Sequence, residues 1–137
     1  MIRLDIVTPE KKAFSSDGIE MVVLPATEGE IAVLANHAPL VTTLAPGELR
    51  YKKGEEEVSL AVGAGIVEVT RGSVSVLTDM AMCEDEIDES VVEKALESAN
   101  QALADGGSGD PEEMAVMMAN IQRQMAQLQV KRKRRSI

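Results

Sequence analysis

Through roughly the first 80 residues apolar and polar side chains alternate, and after them the apolar spacing becomes helical. Ile2, Leu4 and Ile6 alternate with Arg3 and Asp5, a strand with one wet face, and Thr8-Pro9 ends it. Lys11-Lys12-Ala13-Phe14 opens a second short strand, and Ser15-Ser16-Asp17-Gly18 reads as a turn. Ile19 to Leu24 is apolar and β-branched, which predicts a more buried strand. Glu48 to Lys53, a turn at Gly54, and Val58-Leu60-Val62 alternating with Ser59 and Ala61 continue the pattern. Gly63 and Gly65 sit inside it, as at a bulge or where another backbone comes close. Ile66 to Thr70 and Ser73 to Leu77 form a hairpin about Arg71-Gly72. Many short strands with turns at close intervals predict an all-β sandwich or barrel, spanning residues 1–83.

Between them lies a stretch dense in turn-formers, Pro25 to Gly47. Glu28-Gly29-Glu30 reads as a tight acidic turn, with glycine free to take positive φ. Ile31 and Val33 flank Ala32 as on a half-buried strand. Asn36-His37-Ala38-Pro39 breaks that strand, because proline lacks a donor and forces its predecessor into an extended shape. Pro46-Gly47 is a second turn.

The period changes after Cys83, and residues 84–137 read as a helix-turn-helix unit. Glu84-Asp85-Glu86-Ile87-Asp88 is an acidic lead-in that suits the positive end of a helix dipole. Val91, Val92, Ala95, Leu96, Ala99, Ala102 and Leu103 then mark one helix face. Gly106-Gly107-Ser108-Gly109 is expected to terminate that helix and supply its left-handed cap. Asp110-Pro111-Glu112-Glu113 is a strong helix start, and Met114, Met117, Met118, Ile121, Met125 and Leu128 form the second stripe. The fold class is therefore α+β: an N-terminal β-sandwich, then a C-terminal antiparallel helical hairpin. Thin stripes built on Ala and Met predict a hairpin of low independent stability, able to reposition.

Composition narrows the chemistry. Phe14 and Tyr51 are the only aromatics and tryptophan is absent, which weakens any scheme based on base stacking. Cys83 is the only cysteine, so no internal disulfide forms and a reducing compartment is expected. No run approaches the roughly 20 apolar residues of a membrane span, and MIRLDIV has neither a signal nor a transit pattern. The net charge of −9 is unevenly spread. Residues 84–113 carry eleven acidic and one basic side chain, whereas residues 114–137 carry six basic and no acidic ones.

No catalytic constellation is visible. A lone His beside a proline turn is ordinarily a structural hydrogen-bonder, and His37 has no second His, Cys or Asp at ligand spacing. The glycines at 106–109 lack the strand, helix and Lys of a phosphate loop and read as a turn. Lys131-Arg132-Lys133-Arg134-Arg135 suits a helix C-terminus. It reads as a solvated tail, a nucleic-acid patch or a docking element for an acidic protein surface, with overall acidity against the second.

Several strings together resemble the ε subunit of F-type ATP synthases: Leu4-Asp5-Ile6-Val7-Thr8-Pro9, Glu28-Gly29-Glu30-Ile31, His37-Ala38-Pro39-Leu40, Leu44-x-Pro46-Gly47, Gly65-Ile66-Val67-Glu68-Val69 and Val76-Leu77-Thr78-Asp79-Met80-Ala81. Each is weak alone; their order and spacing make the resemblance specific over essentially the full length. It implies a ten-stranded β-sandwich plus helical hairpin, and a non-catalytic rotor subunit of the central stalk, without a cofactor. It implies that Glu28, Gly29, Glu30 and Ile31 face the membrane c-ring, and that His37 and Thr42 lie near the γ subunit. It also implies that the hairpin extends to restrain ATP hydrolysis, with Arg123, Lys131, Arg132, Lys133, Arg134 and Arg135 meeting an acidic segment of the β subunit. The implied location is the cytoplasmic face of a bacterial inner membrane, or the stromal side of a thylakoid, reached only through the complex. Some members bind ATP through [Ile/Leu]-Asp-x-x-Arg-Ala. Here Ile87-Asp88-Glu89-Ser90-Val91-Val92 keeps Asp88 but lacks the Arg that would pair with phosphate. The rival readings are a free-standing adaptor or chaperone, and a nucleic-acid binder using the basic tail.

Overall fold

The computed structural model describes residues 1–9, 12–105 and 110–135, without the side chains of 12, 13 and 133–135. Ten strands come first: β1 (Ile2–Val7), β2 (Lys12–Ile19), β3 (Met21–Ala26), β4 (Gly29–Leu34), β5 (Leu40–Leu44), β6 (Gly47–Lys53), β7 (Glu56–Val62), β8 (Gly65–Val69), β9 (Ser73–Thr78) and β10 (Ala81–Cys83). A short 3-10 turn at Glu84–Glu86 leads to helices α1 (Glu89–Ala104) and α2 (Pro111–Arg135).

The strands form two five-stranded layers, β4-β3-β6-β7-β10 and β5-β8-β9-β1-β2, joined where Ala26 meets Leu44. Strands β5 and β6 are nearly one run, bent at Ala45-Pro46 so that β5 pairs with β8 while β6 pairs with β3 and β7. Proline at that corner removes a ladder donor where the chain changes layer. Every pairing is antiparallel except β1 with β9. Alternation fills the interior: Leu4, Ile6, Val22, Leu24, Leu49, Leu60, Val67, Val74 and Val76 are all fully buried. Phe14 and Tyr51 pack with ring centroids 5.3 Å apart, linking β2 to β6.

The expected turn at Ser15 to Gly18 is absent; β2 runs straight through it. Ile2 faces Ile19 while Leu4 faces Ser16, so one extra residue of β2 is absorbed as a bulge, with Gly18 at φ 73°. The polar run is tolerated because β2 is an edge strand whose outer face is wet. Arg3 gathers it there, at 3.1 Å from Asp5, 3.4 Å from Asp17 and 3.2 Å from Ser15 Oγ. The strand expected over 19–24 is likewise broken at Glu20.

Asp88 caps α1, its Oδ1 accepting from the N–H groups of Ser90 (3.0 Å) and Val91 (3.3 Å). Asp110 does the same for α2, accepting from Glu112 N–H at 3.0 Å. The glycine cap expected at 106–109 lies outside the described residues. The helices run antiparallel, and the second half of α2 lies on the outer face of β6 and β7. There Ala61, Ile87, Val92, Ala126, Leu128 and Val130 make a second core with Met80 and Met82. The expected stripes are only partly inside. Met125 is 58% exposed, and Met118 and Val91 are also open to solvent. Although the sheet covers α2 on one side and α1 on another, Val116, Met118, Gln122, Met125 and Gln129 are among its residues that stay exposed.

Candidate functional site

His37 is held structurally. Its N–H donates to Leu34 O at 3.2 Å, and its Nδ1 lies 2.7 Å from Ala38 O. Asn36, at φ 65°, donates its N–H to Arg71 O and ties this loop to the β8–β9 turn. Among the described residues no three His, Cys, Asp or Glu side chains are grouped to hold a metal ion. Nor is any described helix long and apolar enough to cross a membrane. Burial and the Glu86 carboxylate push the Cys83 thiol up to about 11 from 9.0. Its thiolate is thus about a hundredfold rarer at pH 8 than in an unfolded chain. Iodoacetamide should therefore label the folded protein about one to two decades more slowly than the protein in denaturant, the lost thiolate fraction being partly offset by its higher nucleophilicity. Since the unfolded state loses this proton first, Cys83 also lowers stability as pH rises from 9 towards 11. Equal labelling rates would show that the thiol is open.

The acidic turn of the sequence is the β3–β4 hairpin tip. Ala26 pairs with Gly29, leaving Thr27-Glu28 as a two-residue loop, and Gly29 at φ 127° takes a conformation closed to other residues. Glu28 and Glu30 are exposed, while Ile31 turns inward to the core. Glu30 is 3.2 Å from Arg50, which also holds Glu48 at 2.9 Å. Glu48 is 3% exposed, covered where α2 crosses β6. Only the tertiary arrangement shows Glu48 to be buried, since α2 crosses the strand that carries it.

The structure separates two sets of residues that the sequence read as one segment. The Glu28–Ile31 tip and the His37 loop lie at opposite ends of β4, roughly 20 Å apart by strand rise. Thr42 pairs with Val67 on β8 and points to the opposite face from Val41. On the outer face of that layer the register aligns Thr43, Ile66, Leu77 and Val7 in one row across four strands. Leu77 (55%), Ile66 (51%) and the neighbouring Val41 (68%) are exposed, and a hollow of about 360 Å³ opens beside them. An apolar row of this kind leaves hydrophobic side chains in contact with water. Sequence reasoning passed over it, although Ile66-Val67 and Val76-Leu77 break strict alternation by putting apolar residues on both faces.

Arg123, Lys131 and Arg132, the α2 cations whose side chains are described, are already paired. Arg123 lies 2.9 Å from Asp79 and also meets Asn120, and Lys131 lies 3.1 Å from Glu84. Arg132 bridges Glu89 (3.2 Å) and Glu93 (2.9 Å). The side chains of Lys133, Arg134 and Arg135 lie outside the described residues. Asp88 serves as the cap described above.

Comparison with known proteins settles the relationship. The sequence model of the β-sandwich domain of the ATP synthase delta/epsilon chain matches residues 1–84. The chain belongs to the ATP synthase delta/epsilon family. An "ATP synthase epsilon chain" of Dehalococcoides mccartyi is 42% identical over 135 residues, covering 98% of this chain and 94% of that protein. The one from Herpetosiphon aurantiacus is 38% identical over 130 residues, covering 93% and 95%. In three dimensions the fold matches a chain of the Euglena gracilis mitochondrial ATP synthase OSCP/F1/c-ring structure. The TM-score is 0.76 at 26% identity, over 93% of this chain and 79% of that one. The family model covers the sandwich, and the match to the epsilon-chain relatives extends through the helical unit.

Proposed function

We propose that this protein is a non-catalytic rotor subunit of the ATP synthase central stalk, coupling c-ring rotation through γ to ATP synthesis. The near-full-length match to epsilon chains carries the reading. In it, residues 1–83 are the docking domain and residues 84–137 the regulatory one. The exposed tip Glu28-Gly29-Glu30, backed by Ile31, meets the polar loops of the c-ring. The γ subunit covers the apolar row of Val41, Ile66, Leu77 and Val7, with His37 and Thr42 at its margin. Burying such a row supplies the non-directional part of the contact, while the polar tip sets orientation. The protein then sits on the cytoplasmic face of the bacterial inner membrane through its complex.

The helical hairpin restrains ATP hydrolysis when it leaves the sandwich and carries Arg123 and the basic end of α2 to an acidic segment of the β subunit. The second core is small, nine residues of which four are alanine or methionine, and that supports such mobility. The test is reconstitution of the catalytic head and stalk with the full chain or with residues 1–83. Both forms should co-assemble, and the shorter should raise ATP hydrolysis several-fold. Failure of residues 1–83 to assemble would overturn the docking role, and unchanged hydrolysis would remove the restraint.

A further inference from the structure

The acidic excess of residues 84–113 does not face water alone. Lys131 Nζ reaches Glu84 Oε1 at 3.1 Å and the Glu84 carbonyl oxygen at 3.4 Å. Arg132 spreads its guanidinium between Glu89 and Glu93, two carboxylates one helical turn apart on α1. Buried Ile87 sits between Glu84 and Glu89 and pins this segment to α2 through the second core. We propose that residues 84–93 are an internal surrogate for the acidic protein surface that the basic end of α2 engages when the hairpin opens. The inference rests on the reading of α2 as a movable arm with an acidic partner.

Its physical content is exchange. A guanidinium that leaves two carboxylates for water loses charge-assisted hydrogen bonds, whereas one that moves to two other carboxylates keeps them. The closed and engaged states therefore share Lys131 and Arg132 and cannot both hold them. Arg132 is about half exposed even in the closed state, so an incoming carboxylate can reach it before Glu89 and Glu93 let go. The i, i+4 pair that grips it is a motif any acidic helix can present. A surrogate of this kind keeps the arm closed without a strong apolar interface, and it sets the threshold that a partner must exceed.

The experiment uses the full chain and a synthetic Glu-rich helical peptide as probe, with binding read by fluorescence anisotropy at low salt. The E84Q/E89Q/E93Q variant keeps side-chain size and should bind the peptide about fivefold more tightly than the wild type, the sum of three modest ion pairs. K131Q/R132Q should lose binding. E55Q/E56Q/E57Q, which removes three exposed carboxylates at the distant β6–β7 turn, should bind as the wild type does. If it tightens binding as much as E84Q/E89Q/E93Q, general repulsion explains the effect and the surrogate is overturned. The surrogate also falls if E84Q/E89Q/E93Q binds no better while K131Q/R132Q still loses binding, and the acidic-partner reading then stands. Absence of peptide binding in every form would remove that reading and the surrogate together.

Discussion

Replacing Gly65 by alanine should cost about 3 kcal/mol or more and lower the melting temperature by about 10 °C. Gly65 opens β8 opposite Thr78 of β9. A Cβ there would be driven into the Leu77 carbonyl oxygen, with Leu77 C and Thr78 Cα each only 2.8 Å away. These are backbone atoms of a paired strand, so no side-chain rotation relieves the clash; the β8–β9 ladder must shift. That ladder carries Val67 and Val76 into the core and Ile66 and Leu77 into the outer row, so the damage reaches both. Gly72, in the turn of the same hairpin, has nothing within 4 Å of an added Cβ, and Gly72→Ala should change stability by no more than about 0.5 kcal/mol. Thermal and urea unfolding of the two variants check this. Equal, small effects would mean that β8 and β9 do not meet as described.

Ala61→Glu should release α2 while leaving the sandwich intact. Ala61 is fully buried, yet its neighbours Leu60 and Val62 point into the sandwich, so Ala61 itself faces outward beneath the helix. Its register partner is Glu48, already buried there. A second carboxylate under α2 is an unpaired buried charge beside a like one, a cost of about 3 kcal/mol or more that undocking removes. A shift of that size moves the docking equilibrium by about two decades. Amide exchange in α2 should accelerate about a hundredfold while β3, β6 and β9 keep their protection. In the reconstituted complex, on the reading of α2 as a restraining arm, ATP hydrolysis should fall below that with the unaltered chain. Loss of protection in β9 together with α2 would show that sandwich and hairpin unfold as one unit, against the division at residue 83.

The two substitutions mark how far the sequence could be read. The close approach at Gly65 was legible, because a glycine inside a strand pattern calls for a bulge or a neighbouring backbone. The β3–β4 tip was legible for a similar reason, since Glu-Gly-Glu between two apolar runs demands a tight loop. Ser15 to Gly18 misled because four turn-formers in a row also suit an edge strand, if one bulge and one arginine take up the slack. The methionine stripe misled differently. Met118 and Met125 fit a helical period, but the period gives a face and not what covers it.

Alternation, turn chemistry and helix caps act between residues a few positions apart, so the sequence by itself determined most of the strands, the helical hairpin and Asp110 at its second start. The order of motifs also determined the family. Tertiary structure alone decided that β1 runs parallel to β9, that Ile66 and Leu77 line up with Val7, and that Glu48 is covered. It alone decided that Arg123 meets Asp79, 44 residues away, and that Lys131 meets Glu84, 47 residues away. Such pairings depend on how two sheets and two helices settle against one another. Local preference is silent there, because the charged partners would be equally well solvated apart and an apolar residue's spacing does not say which strand lies beside it.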